Sequence, residues 1–202
     1  MATELDRRTF LRRCTLGACG LGSIIAFGDL LQVHAVSNGH TVPPLAKAIV
    51  IVDKTLCSGC RTCEMVCANF NGDGQNSSSH ARVFVEKEYL KGNYQPKVCL
   101  QCADPPCLKA CPVGALQIDR SKGTYARIID EETCIGCQEC IKACRQYFRP
   151  PRPVFDPQKE KTFKCHLCAG DPQCVRFCPL GALQVARSEE GFLVGYPVIK
   201  ED

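Results

Sequence analysis

The sequence predicts an α+β fold of two similar modules, one inserted in the other, with little regular secondary structure. Three observations predict it. Sixteen of the 18 cysteines lie after residue 56 and fall into four groups of four. The groups alternate between two spacing patterns. Matching β-branched strands and hairpin-like runs flank them. The length of 202 residues allows one ordinary domain or two small ones. Hydrophobic residues make up 45% and charged residues 23%, both ordinary, so cysteine is the anomaly. At that density covalent or metal chemistry holds the fold. Net charge is +4 with acids and bases interspersed, so there is no basic stripe for nucleic acid.

The first group is Cys57, Cys60, Cys63 and Cys67, and the third is Cys134, Cys137, Cys140 and Cys144. Both have the C-x2-C-x2-C-x3-C spacing of bacterial ferredoxins. The second (Cys99, Cys102, Cys107, Cys111) and fourth (Cys165, Cys168, Cys174, Cys178) widen the middle gap with "DPP" and "GDPQ". A cubane cluster wants one thiolate per iron. A tight loop wraps three corners, and the fourth cysteine, about one helical turn on, points to the other cluster of a pair. Pro112 and Pro179 redirect the chain after it. Zinc sites use two separated C-x2-C pairs, and cysteines this close would make strained disulfides, so both are disfavoured. Four complete motifs predict four [4Fe-4S] clusters. No ligand is replaced, so no three-iron cluster is expected. A short helix is expected after each loop, carrying Cys67, Cys111, Cys144 and Cys178.

The repeats predict how the groups pair. "CPVGALQI" (111–118) and "CPLGALQV" (178–185) are nearly identical, and each precedes a turn, at Gly123 or Gly191, and a second apolar run. Both read as β-hairpins. "VDKTLCSGC" and "IDEETCIGC" each place an Asp four residues before the first Cys. Residues 97–148 have the order motif, hairpin, motif, and can close alone as a bacterial-ferredoxin-like 2[4Fe-4S] module. The first and fourth motifs are left for each other, with strand 48–52 docking near 182–196. The expected ligand sets are Cys57, Cys60, Cys63 with Cys178; Cys99, Cys102, Cys107 with Cys144; Cys134, Cys137, Cys140 with Cys111; and Cys165, Cys168, Cys174 with Cys67. The rival arrangement pairs motif one with two and three with four. The expected organisation is a leader at 1–35, an outer module split between 36–96 and 149–202, and an inserted module at 97–148. Residues 69–80 read as a polar loop, 81–90 as a partial strand, and the Pro-rich 148–161 as an irregular surface strap.

At the N-terminus, Arg7 and Arg8 precede Phe10, Leu11 and an apolar run. That is the pattern of a twin-arginine signal, an address for folded cargo, with cleavage expected after Ala35. It predicts export to the periplasm or the outer face of the cytoplasmic membrane. Cys14 and Cys19 then belong to the leader. An amphipathic first helix is the alternative. No apolar stretch reaches 18 residues, too short for an ordinary spanning helix.

"CLQCADPPCLKACPVGAL" and "KCHLCAGDPQCVRFCPLGAL" carry a family resemblance. The chain resembles the four-cluster iron–sulfur subunits of dimethyl sulfoxide reductase-type molybdoenzymes over residues 47–186. The fourth motif is also similar to the ferredoxin subunits that accompany tungsten aldehyde oxidoreductases. The resemblance implies an electron wire beside a larger molybdenum- or tungsten-pterin catalytic subunit. Arg145 departs from it, standing where that family usually has Pro. Few groups are free for catalysis, and no nucleotide fingerprint occurs, so no catalytic residue is expected. The second carrier would be a membrane subunit, a cytochrome or a soluble ferredoxin. A hydrogenase partner, or a module whose clusters only hold the fold, are the alternatives. Arg145, Arg176 and nearby lysines are expected to raise a neighbouring cluster's potential.

Overall fold

Residues 43–72 and 77–194 of the computed structural model are described here, together with the backbone of 36–37 and 40–41. The twin-arginine segment and the cleavage point at Ala35 lie outside the described residues. β1 (Val36–Ser37) and β2 (His40–Thr41) pair antiparallel.

Strand alternation builds the core. In β3 (Ala46–Val52), Ala46, Ala48 and Val50 are buried on one face, as period two requires. α1 (Thr62–Asn71) follows the first cysteine loop and buries Cys63, Glu64, Cys67 and Ala68. β4 (Phe84–Glu88) and β5 (Asn93–Lys97) form a hairpin, joined by a 3₁₀ turn ending at Gly92. β5 contains Pro96, which hides it as a strand in the sequence. Every sheet among the described residues has two strands, so every strand is an edge and tolerates proline.

α2 (Pro106–Lys109) precedes the hairpin of β6 (Leu116–Asp119) and β7 (Ala126–Ile129), which turns as expected at Gly123. α3 (Glu139–Arg145) follows the third loop. The Pro-rich segment is not an irregular strap. It folds as β8 (Val154–Asp156) and β9 (Lys161–Phe163), and the buried Asp156 carboxylate accepts from the Gln158 and Lys159 N–H groups in the turn.

α4 (Gln173–Arg176) leads to β10 (Leu183–Phe192). β10 is not the second hairpin the repeat suggests. It pairs antiparallel with β3, from Leu183↔Val52 to Arg187↔Ala48, then Phe192↔Ala46, so residues 188–191 bulge. Strand 48–52 thus docks on 183–187 as expected from the order of the motifs, and it is only the second hairpin that does not form. α1 packs against α4, and α2 against α3. Helices this short do not hold alone and depend on these contacts.

The helices carry Cys67 and Cys144 as expected, but not Cys111 and Cys178. α2 and α4 stop at Lys109 and Arg176. Pro112 and Pro179 disfavour helix at the residue before them, which is the cysteine itself. Cys67 and Cys144 are followed by Ala68 and Arg145, so α1 and α3 run on. The missing proline after Cys144 therefore explains the longer helix.

No helix among the described residues is long and apolar enough to cross a membrane. The main core joins Val50, Val83, Val85, Ala126, Leu167 and Leu183 to Cys63, Cys67 and Cys174. Among the described residues the largest fully buried side chains include Arg127, Gln101 and Glu64 as well as leucines.

Candidate iron–sulfur centres

The cysteine loops are shaped by backbone that ordinary residues resist. In the first loop Gly59 and Arg61 have φ of 74° and 64°; in the third, Gly136 and Gln138 have 68° and 62°. The same residue offsets bend both loops, which is why C-x-G-C recurs. Gly136 is fixed by crowding as well, since a Cβ there would sit 2.1 Å from the Glu160 carbonyl oxygen. Asp53 and Asp130 set both loop entries. Thr55 donates to Asp53 through its N–H (2.9 Å) and hydroxyl (2.5 Å), and Thr133 donates its hydroxyl to Asp130. These bonds hold both carboxyls below their ordinary range.

The fold brings the sixteen cysteines together across the chain. Cys57, Cys60 and Cys63 line one cavity with Cys178. Cys99, Cys102 and Cys107 line another with Cys144. Cys134, Cys137 and Cys140 line a third with Cys111. Of the remaining four, Cys67 and Cys174 are buried in the main core, half-buried Cys165 packs against it, and Cys174 is within electrostatic reach of Cys165, Cys67 and half-buried Cys168.

Backbone N–H groups point at sulfur. Arg82 donates to Cys67 Sγ at 3.2 Å, Arg152 to Cys144 Sγ at 3.3 Å and Gly136 to Cys134 Sγ at 3.5 Å. Asn71 Nδ2 reaches Cys67 Sγ at 3.7 Å. Donors aimed at sulfur suit a thiolate rather than a thiol.

Burial alone would keep these thiols protonated. It pushes Cys63 and Cys107 up to about 12, and Cys102 and Cys140 up to about 11. Such thiols ionise only against a strong positive charge, which iron supplies. Among the described residues, no three His, Cys, Asp or Glu side chains converge to hold a single ion. Four thiols standing around an apolar space fit a cluster that offers one iron to each. The donor set and the cavities fit [4Fe-4S] clusters.

Other residues matter here that the motifs do not mark. Gln101, fully buried, accepts from Arg127 N at 2.8 Å and donates to the Cys165 carbonyl at 3.1 Å, tying the second motif to the fourth. His166 Nδ1 accepts from Cys168 N at 2.9 Å, and burial, with Arg82 and Lys164 nearby, lowers its pKa to about 4. It is therefore a neutral acceptor within the loop. Arg145 and Arg176 are exposed, and Arg176 pairs with Asp171 at 3.7 Å, so water screens the charges that sequence reasoning singled out. The buried cations are Arg127 and Lys164, with half-buried Arg152 beside them, and all three line the Cys99–Cys144 cavity. Burial works against the Lys164 ammonium, but Cys99, Cys107 and Cys165 outweigh it and the net shift is upward. No spacing rule flags lone basic residues of this kind.

The fold and these centres define a ferredoxin-like iron–sulfur protein. Residues 90–188 match the family described as a 4Fe-4S dicluster domain. The chain is 37% identical over 131 residues to the "Aliphatic sulfonate oxidoreductase, polyferredoxin-like subunit" of Pyrococcus furiosus, covering 64% of this chain and 70% of that one. It is 30% identical over 194 residues to the "Formate dehydrogenase-O iron-sulfur subunit" of Escherichia coli K12, covering 80% of this chain and 61% of the other. It is 27% identical over 220 residues to the "Hydrogenase-2 operon protein HybA" of Escherichia coli O157:H7, covering 92% and 64%. A solved structure of the "Active site complex BamBC of Benzoyl Coenzyme A reductase as isolated" is similar with a TM-score of 0.41 and 22% identity, over 70% of this chain and 77% of that one. The chain belongs to the family of 4Fe-4S polyferredoxin-like iron–sulfur subunits.

Proposed function

We propose that the chain is the non-catalytic electron-transfer subunit of an oxidoreductase complex, carrying four [4Fe-4S] clusters. Each cluster supplies reversible uptake of one electron. The observation that carries the reading is the continuous order of the cysteine groups. α1 carries both Cys63 and Cys67, so the first and fourth groups adjoin. Cys165 acts electrostatically on Cys99 across the Gln101 bridge, linking the fourth group to the second. α3 carries Cys140 and Cys144, linking the second to the third. Cys60 is exposed at one end of the series and Cys137 at the other. The four ligand sets are those expected from the sequence.

The nested arrangement, with 97–148 inserted between 36–96 and 149–202, draws support from β3 pairing with β10 around the β6–β7 hairpin. The partner is a larger catalytic subunit of the molybdenum- or tungsten-pterin class. The second and fourth motifs support that class, and the similarities to oxidoreductase and formate dehydrogenase subunits support a larger catalytic partner. The HybA similarity favours a hydrogenase partner as a second reading. Electrons pass between that subunit and a membrane subunit, a cytochrome or a soluble carrier. Arg7 and Arg8 support folded export with residues 1–35 as leader, because clusters are assembled in the cytoplasm and sixteen bare thiols would oxidise outside it.

Affinity capture of the full chain from its own cells, with mass spectrometry, identifies the partner. Redox titration followed by electron paramagnetic resonance (EPR) tests the wire. If no cluster changes state within physiological potentials, the clusters are structural.

A further inference from the structure

We propose that the cavity of Cys99, Cys102, Cys107 and Cys144 is built for the highest reduction potential of the four, with Lys164, Arg127 and Arg152 as the positioning residues that set it. The inference rests on the four-cluster reading above.

Basic side chains enter protein interiors with carboxylate partners as a rule. These three do not. Arg127 is 1% exposed and donates to the carbonyls of Tyr125 and Pro44, both at 2.9 Å. Lys164 is 2% exposed and donates to the carbonyls of Arg127 and Cys165. Arg152 donates to the Pro150 carbonyl at 2.6 Å and lies 5.3 Å over the Phe148 ring. Among the described residues none of the three has a carboxylate at ion-pairing distance. The Nε atoms of Arg127 and Arg152 are buried and unpartnered. Glu86, whose carboxylate acts on Arg152 from a distance, is already paired with Lys97 at 2.9 Å.

Carbonyl partners neutralise no charge, so three positive charges on the wall of this cavity have no carboxylate counter-charge and face the cysteine sulfurs alone. Reduction adds one electron and moves no proton. The added negative charge is stabilised strongly by cations in a low-dielectric interior.

The other groups lack this excess. Beside Cys63, Arg61 is matched by the buried Glu64 carboxylate at 2.6 Å. The Cys111–Cys140 cavity has no ionisable lining except its cysteines; Lys161 reaches the Cys134 carbonyl behind it but faces Asp130. Arg82, behind Cys67, faces Glu131 at 3.9 Å. The fourth group shares Lys164 and so ranks second.

EPR-monitored redox titration of the cluster-loaded full chain tests this, with iron and acid-labile sulfide counted on each sample. The variants are Lys164→Gln and Arg152→Gln, against the charge-retaining Lys164→Arg and Arg152→Lys. Each Gln variant should lower the highest-potential couple by at least tenfold in its reduction equilibrium, 59 mV for one electron. The charge-retaining variants should hold it near the wild-type value. A fully loaded Gln variant that leaves this couple in place, or moves a lower one instead, overturns the proposal. Cys102→Ser carries the test without touching the cations: the signal it alters must be the highest-potential one, and alteration of a lower one overturns the proposal. Wild-type protein with iron far below sixteen per chain overturns the four-cluster reading and this inference with it, a result distinct from an unmoved potential in loaded protein.

Discussion

The Glu64 carboxylate accepts a hydrogen bond from the backbone N–H of Val85 at 2.6 Å, inside the core. Its other oxygen accepts from Arg61 Nε at 2.7 Å. One buried side chain thus ties α1 to β4 and fixes the arginine whose left-handed backbone closes the first cysteine loop. Glu64→Ala strands the Val85 N–H and leaves Arg61 without a counter-charge. The expected cost is about 3 kcal/mol. At 2–4 °C per kcal/mol that is a fall of roughly 10 °C in the temperature at which the cluster absorbance bleaches. Glu64→Gln keeps an acceptor and should lose less than half as much. Equal losses would mean that the hydrogen bond to Val85 contributes little.

Two glycines with the same φ separate strain from crowding. Gly114 and Gly136 both have φ of 68°, but nothing lies within 4 Å of a Cβ at Gly114. Gly114→Ala should cost about 1 kcal/mol, the left-handed penalty alone. Gly136→Ala must also displace the backbone of Glu160, so it should open the third loop and reduce bound iron. Iron analysis and thermal bleaching of both variants check the contrast. Equal behaviour would assign the requirement to φ only.

Pairing of the cysteine groups is read by counting iron. Cys60 and Cys178 line one cavity. The double variant Cys60→Ala/Cys178→Ala should therefore lose one cluster and keep about twelve irons of sixteen. If the two cysteines served different clusters, about eight would remain.

Asn71 tunes one sulfur. Its amide donates to the Cys67 carbonyl at 2.9 Å and reaches Sγ at 3.7 Å. Hydrogen bonds to sulfur raise a cluster's potential, so Asn71→Leu should lower the couple that Cys67 serves and leave the other three alone. The contact is long, so the change should be well under tenfold in the reduction equilibrium. An upward shift, or one spread over several couples, would remove Asn71 from this role.

Iron removal should unfold the chain. Among the described residues its α-helices are four to ten residues long, and cysteines occupy many core positions. A chelator under reducing conditions should abolish far-ultraviolet circular dichroism structure and protease resistance together. A protease-resistant apoprotein would show that the apolar core suffices.

Local features were legible because short-range geometry sets them. The C-x-G-C loops, the Asp53 and Asp130 turns and the β6–β7 hairpin each depend on a few adjacent residues. The stop of α2 and α4 was legible too, in Pro112 and Pro179, but reading the cysteines as helical overlooked the restraint on the residue before proline. β5 was obscured by Pro96, which two-stranded sheets tolerate at their edges, and β8 and β9 by their length of three residues each, with Pro153 and Pro157 flanking β8.

By itself, the sequence determined the chemistry: sixteen thiols, their grouping in fours and the loop shapes that present them, since spacing within a loop is a covalent fact. Tertiary structure alone decided the form of the strand that meets β3 and which charges are dry. β10 meets β3 as the order of the motifs predicts, but only packing shows that it runs on as one bulged strand instead of folding on itself as a hairpin. Arg127 and Lys164 are buried while Arg145 and Arg176 face water, and nothing in their neighbours along the chain distinguishes them. Burial is a property of packing, and a charge acts on a cluster with full strength only where packing has removed the water.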